Sequence, residues 1–168
     1  MPTVEWMMRT HLDQVAAVER SLNTGVPWIP AEFRHCLNRH RCTGLVALDG
    51  DDVVGFTLYE RRETHLMALR IEATSQAAAD TLVETLTRKV VAQDRAMLAA
   101  FVRLSDLRVL NTLKRHEATA TTVVSEMFGP QEDGVCVEWR PDTDYATDSM
   151  IEWVPVNQWE NVPVRKNN

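Results

Sequence analysis

Four residues with ligand chemistry fall within eight positions: His35, Cys36, His40 and Cys42. Zinc accepts imidazole nitrogens and thiolates, but paired zinc ligands recur at spacings such as Cys-x-x-Cys, and none is present. A His and a Cys at adjacent positions point to different faces of a helix. This predicts no metal site and a Cys36 packed in the core. A second group, Tyr59, Glu60, Glu63 and His65, straddles the end of one expected strand and the start of the next. A carboxylate or imidazole there could take a proton from an amine. Spacing alone perturbs no pKa, however, and an exposed, charged hairpin end has the same pattern.

The elements that must position these residues follow from hydrophobic period. Thr3 to Met8 alternate loosely, as a first strand would. Thr10 and Asp13 are spaced like a capping box, and Leu12, Val15, Val18 and Leu22 then recur at helical spacing, which predicts a helix from His11 to Leu22. Pro30 suits the first position of a second, short helix carrying Phe33, Cys36 and Leu37. Asp49-Gly50 between the apolar runs Leu45–Leu48 and Val53–Tyr59 is a hairpin signal, and Leu66–Glu72 reads as a third strand of the same meander. Ser75 to Ala92 form the longest helix, with Ser75 at its N-cap and Leu82, Val83, Leu86 and Val90 on one face. Met97–Val102 should be a strand, Ser105–Lys114 a helix, and Thr119–Met127 and Val135–Trp139 two closing strands.

With 168 residues, 45% of them apolar, the chain supports one domain over residues 1–140 and a distinct arm over 141–168. Three cysteines, an odd number with no Cys-x-x-Cys pair, do not form the disulfide framework of a small secreted domain, so a reducing cytoplasm is expected. No apolar run approaches the roughly 20 residues a membrane helix needs. Twenty-four acidic residues against 18 basic ones give a net charge of −6, which opposes attraction to nucleic acid or anionic lipid. The expectation is no nucleic acid and no membrane.

The order strand, two helices, three strands, helix, strand, helix, two strands resembles that of the GCN5-related N-acetyltransferases (GNAT). Pro27-Trp28 before Glu32-Phe33, Gly44-Leu45-Val46-Ala47 leading into Val53-Val54-Gly55-Phe56, and Leu58-Tyr59-Glu60 resemble the N-terminal half of the bacterial ribosomal-protein-alanine acetyltransferases. Val102-Arg103 followed by Asp106-Leu107 resembles the family's strand-to-helix passage, and the similarity spans residues 4 to 140. It implies an α/β (α+β) GNAT fold, a mixed, mostly antiparallel sheet of about seven strands flanked by about four helices. It also implies acetyl-CoA as the cofactor of an active member.

The family's chemistry is expected in three places, and each departs from pattern. Acyl-CoA is held by an Arg/Gln-x-x-Gly-x-Gly/Ala loop whose backbone N–H groups take the pyrophosphate at a helix N-terminus. The corresponding stretch, Ala73 to Thr81, has no glycine, and neither glycine nor proline occurs from 56 to 128. In ungapped register Gln76 takes the Arg/Gln position, Ala79 the first Gly and Thr81 the second, whereas aligning the helix hydrophobics leaves the loop about four residues short. If CoA binds, the cofactor-binding residues implied are Ile71, Ala73, Gln76, Ala77, Ala78 and Ala79. Alanine denies the backbone the close approach and positive φ that glycine allows, and Asp80 adds negative charge. A plain helix start is the competing reading of Gln76 to Ala79. Phe101 stands where relatives carry a glutamate base, and its expected role is in the core. Thr112 or Leu113, and Glu117-Ala118, stand where a thiolate donor and a Gly-Phe helix end would be.

The arm carries Trp153, Trp159 and two copies of Val-Pro-Val, which proline restricts to extended conformations. Two indoles left in water are costly, so the arm is expected to dock, on its own domain, on a sister subunit to form a homo-oligomer, or on a peptide or protein partner. No catalytic residue is assigned. The joint loss of loop glycines, base and donor points to a degenerate acetyltransferase-like protein, a pseudoenzyme acting by peptide or partner binding and needing no cofactor. The alternative is an active acetyl-CoA-dependent N-acetyltransferase on a peptide or protein amine, with a non-standard CoA site.

Overall fold

The computed structural model describes residues 1–141 and the backbone of Val164–Arg165. Its strands are β1 (Thr3–Trp6), β2 (Cys42–Asp49), β3 (Asp52–Arg61), β4 (His65–Ala73), β5 (Met97–Arg103), β6 (Thr119–Val124), β7 (Gly134–Trp139) and β8 (Val164–Arg165). Its helices are α1 (Leu12–Leu22), α2 (Pro30–Leu37), α3 (Gln76–Ala92) and α4 (Leu107–Arg115). They form one mixed sheet in the order β1-β2-β3-β4-β5-β7-β6-β8, antiparallel except for β4 with β5 and β6 with β8. The expected sheet of about seven strands is present, extended at the β6 edge by the two residues of β8. The expectations for the rest of the 141–168 arm lie outside the described residues.

Period-two alternation in the strands feeds two cores. One face of the sheet buries Leu45, Tyr59, Leu66, Ile71 and Val102 against Leu82, Val83 and Leu86 of α3 and Leu110 and Leu113 of α4. The other buries Val46, Phe56 and Leu58 against Leu12, Val15 and Ala16 of α1 and Phe33 and Cys36 of α2. Gly50, at φ 63°, turns the chain between β2 and β3. α3 begins where Ser75 Oγ accepts the Ala78 N–H at 3.2 Å, as its sequence position suggests.

Several boundaries differ from expectation. The Thr10/Asp13 spacing forms no capping box; the backbone instead makes a 3-10 turn over Arg9–His11, and His11 Nδ1 accepts the Met8 N–H at 3.0 Å. β1 therefore stops at Trp6. β6 ends at Val124 rather than Met127, because Glu126 adopts a left-handed φ of 51° and donates its N–H to Asp133 Oδ1. α4 starts at Leu107, capped by Asp106, whose carboxylate accepts the Val109 N–H.

Two irregularities shape the middle of the sheet. The β3–β4 register shifts by one residue between Leu58 and Tyr59, leaving Leu69 as a bulge in β4. β4 and β5 then pair only from His65 with Met97 to Ala68 with Ala100. Beyond Ala68 and Ala100 the strands run on to Ala73 and Arg103 without pairing, a V-shaped gap in the sheet.

Candidate functional site

The V between β4 and β5 is where an extended ligand could enter the sheet, and charged side chains fill it. The bulge at Leu69 turns Arg70 and Glu72 toward the α1/α2 face, while Ile71 and Ala73 stay in the α3/α4 core. Arg103, at the end of β5, reaches across the gap. Its Nε donates to Glu72 Oε1 at 3.0 Å, its Nη2 to Glu72 Oε2 and its Nη1 to the Leu22 carbonyl. Asp106 Oδ2 lies 3.9 Å from Arg103 Nη2. The side chains of Arg103 and Glu72 are 2% and 1% exposed, so the pair is sealed from water.

Arg70 fills the neighbouring volume. It pairs with Glu19 of α1, a carboxylate with 0% exposure, and its guanidinium stacks 4.2 Å from the Trp28 ring and 5.2 Å from the Phe128 ring. Trp28 and Phe128 belong to the two loops rimming this face, 23–29 and 125–133. The loops are fastened together: Val26 N–H donates to the Phe128 carbonyl at 3.2 Å, and Thr24 Oγ1 to Glu132. Gly129, at φ 115°, makes the approach possible, since a Cβ there would sit 2.4 Å from Val26 N.

Burial dominates the electrostatics of this pocket of charge. It pushes the Glu72 carboxyl up to about 8, outweighing the opposing pull of Arg103, and it also raises Asp106. Three buried carboxyls, Glu19, Glu72 and Asp106, share two guanidiniums, so an excess of acid is built in.

The first turn of α3 is the other half of the candidate site. Ile71 and Ala73 are buried strand residues, Gln76 and Ala77 are exposed, and Ala78 and Ala79 are buried against the sheet. The Ala78 N–H is taken by Ser75 Oγ and the Ala79 N–H by the Ser75 carbonyl. Gln76 Nε2 donates to Asp80 Oδ1 at 2.9 Å and Thr112 Oγ1 at 2.8 Å, tying α3 to α4. Asp80 Oδ1 also accepts from Thr112 Oγ1 at 2.6 Å and pairs with Arg115. Partial burial would raise Asp80, but the bonds from Thr112 and Gln76 and the Arg115 charge outweigh it and hold the carboxyl below its ordinary value. A carboxylate paired with Arg115 thus stands one turn into α3, in the stretch where the resemblance implies the pyrophosphate loop. The described residues fit the phosphates of an acyl-CoA poorly: the Ala78 and Ala79 N–H groups are already taken, the helix start bears methyl groups, and Asp80 adds a carboxylate.

The other candidates are dispersed. Phe101 is half-buried rather than in either core, because alternation along β5 sends Val102 to the α3/α4 side and Phe101, with Arg103, to the opposite face. Leu113 is core, and Thr112 is the buried hydroxyl that grips Asp80. Glu117 turns the chain at φ 62° and Ala118 is buried. Tyr59 is buried under α3 and α4, Glu60 lies between Arg39 and Arg62, Glu63 is exposed and His65 Nδ1 bonds the Thr64 hydroxyl, so these four form no single constellation. His35 and His40 are exposed, whereas Cys36 and Cys42 meet below the surface.

The residues that sequence reasoning missed are Glu19, Arg70 and Arg103. Each is a lone charge inside an apolar period, a signal that marks a buried polar role only once its partner is known.

No family model and no curated relative matches the sequence. Solved structures match its fold. The ribosomal-protein-S18-alanine N-acetyltransferase from Escherichia coli superposes with a TM-score of 0.64 at 14% identity, over 90% of this chain and 100% of that one. Ard1 from Thermoplasma volcanium gives 0.70 at 12% identity, over 83% and 97%, and the aminoglycoside 6'-N-acetyltransferase from Enterococcus faecium 0.61 at 13%, over 84% and 99%. At such identities the likeness is one of architecture: the chain has the fold of the GCN5-related N-acetyltransferases.

Proposed function

We propose that this acetyltransferase-fold protein has lost the family's grip on acyl-CoA and acts by binding a peptide or protein partner. The observation that carries this reading is the first turn of α3, where Asp80 is clamped by Gln76, Thr112 and Arg115 in place of a phosphate-binding loop. The sealed Arg103–Glu72 pair across the β4–β5 gap supports it, since a thioester chain laid into that gap would have to break buried hydrogen bonds between a guanidinium and a carboxyl group. The joined 23–29 and 125–133 loops and the stacked Arg70 fill the adjoining face. Binding then falls to surfaces outside that cleft, and the 141–168 arm, with Trp153 and Trp159, is the segment whose composition suits a partner or a second copy of the chain. The absence of a secretory disulfide framework suits a cytoplasmic setting.

Titration calorimetry of acetyl-CoA into the full chain should give no saturable heat. A micromolar dissociation constant would overturn the proposal.

One observation favours a second reading, an active N-acetyltransferase on a peptide or protein amine. Burial pushes the Glu72 carboxyl up to about 8, so it holds its proton at neutral pH and becomes able to accept an amine proton only as pH rises through that value. That reading requires acetyl transfer to an N-terminal peptide that disappears in Glu72→Gln.

A further inference from the structure

Cys36, in the last turn of α2, and Cys42, the first residue of β2, lie six positions apart, and the tight connection between them turns the chain back on itself. Asn38 donates its N–H to Arg34, Arg39 to Cys36 and Cys42 to Arg39, so the return is fixed by the backbone. The turn brings the two sulfurs to 2.7 Å, while the side chains are 3% and 8% exposed. A disulfide has an S–S separation of about 2.05 Å, so the sulfurs need close by only roughly 0.7 Å to bond. The pair is reached through Cys42. Cys42 lines a cavity of about 320 Å³ whose other walls are Arg39, His40, Arg41, Glu60 and Arg62.

We propose that Cys36 and Cys42 are a reversible oxidation site that a hydroperoxide converts to an intramolecular disulfide. The arginine-rich cavity admits the small oxidant and favours a thiolate beneath it. The two thiols share one S–H···S contact, and the Arg39 charge favours the thiolate in both. The thiolate of the pair attacks the O–O bond of the hydroperoxide, forming a sulfenic acid and releasing hydroxide or alkoxide, which is protonated to water or alcohol. The second sulfur, giving up its proton, then displaces the sulfenic oxygen as water and forms the S–S bond. Two thiols lose two electrons and the peroxide gains them. Thiol–disulfide exchange with a small dithiol restores the pair.

The chain's own cleavage pattern makes the test direct. Trypsin cuts after Arg34, Arg39 and Arg41, leaving Cys36 in the peptide His35–Arg39 and Cys42 in the peptide Cys42–Arg61. The reduced, full-length protein is exposed to hydrogen peroxide, alkylated and digested without reductant. The expected result is a single species joining those two peptides, lighter than their sum by two hydrogens, which dithiothreitol separates. It should persist in Cys136→Ser. In Cys36→Ser or Cys42→Ser the sulfenic acid of the remaining cysteine should be trapped by dimedone. Recovery of the two peptides separately, both alkylated or each carried to sulfinic acid, overturns the proposal, as does a preference for pairs containing Cys136.

Discussion

Charged residues decide the character of the interior, and two arginines do most of it. Arg103 is held bidentate by Glu72 with neither side chain open to water, whereas Arg88 pairs with Glu84 one helical turn away at 74% and 52% exposure. The same pair of residue types therefore has opposite weight at the two places. An exposed pair in a helix contributes about 0.3–0.5 kcal/mol, while removing one partner of a buried pair costs about 3–5 kcal/mol because the other charge is stranded. Arg103→Leu should accordingly lower the unfolding free energy by about 4 kcal/mol in urea titrations above about pH 8, where Glu72 is ionised, and by less at neutral pH, where it keeps its proton; Arg88→Ala should lower it by about 0.5 kcal/mol or less. Equal effects of the two changes would show that water reaches the gap between β4 and β5.

At the scale of elements, the two loops over the α1/α2 face behave as one unit because a glycine lets them touch. Gly129 combines a left-handed φ of 115° with a backbone neighbour, Val26 N, where a Cβ would fall. Alanine there meets strain of about 1–3 kcal/mol from conformation alone, with the clash in addition. Gly129→Ala should release the fastening first, so amide exchange in 23–29 and 125–133 should quicken while the amides of β2 and β3 stay protected. Uniform loss of protection would mean that the loops hold the whole domain together.

Elements were the legible part of the sequence. The α1 and α3 faces recur at helical spacing, and Asp49-Gly50 announces its hairpin, because each signal is local and comes from one residue's own geometry. The fastening was not legible: Gly129 and Pro130 read as a loop, and nothing near them specifies Gly25 and Val26 as the surface met. The candidate site was half legible. The helix start at Ser75 and the acid at Asp80 could be read from the sequence, but Glu19 with Arg70 and Glu72 with Arg103 are separated by 51 and 31 positions, so only the packed sheet makes them pairs. Phe101 was misplaced for a related reason. Its apolar side chain suits a core, but the strand's alternation gives the core to Val102.

Taken over the whole molecule, the buried charge makes stability depend on pH in a direction opposite to that of most folded proteins. A carboxylate favoured by its native surroundings loses its contribution as pH falls. Glu72 does the reverse: burial raises its folded value from 4.5 to about 8, and Asp106 is raised by burial as well. Between those values the folded chain keeps a proton that the unfolded chain has released, so the stabilisation is complete below the unfolded value and is lost as pH rises through the folded one. Urea midpoints should therefore fall between about pH 5.5 and pH 8.5. The net charge of −6 acts in the same sense, since added negative charge repels itself, but surface repulsion is screened by salt and a buried proton is not. The fall should survive in about 0.5 M salt, where the Debye length is only a few ångströms, and should flatten in Glu72→Gln, which cannot ionise. A midpoint that rises with pH would mean that Arg103 holds Glu72 ionised and that the excess acid lies elsewhere.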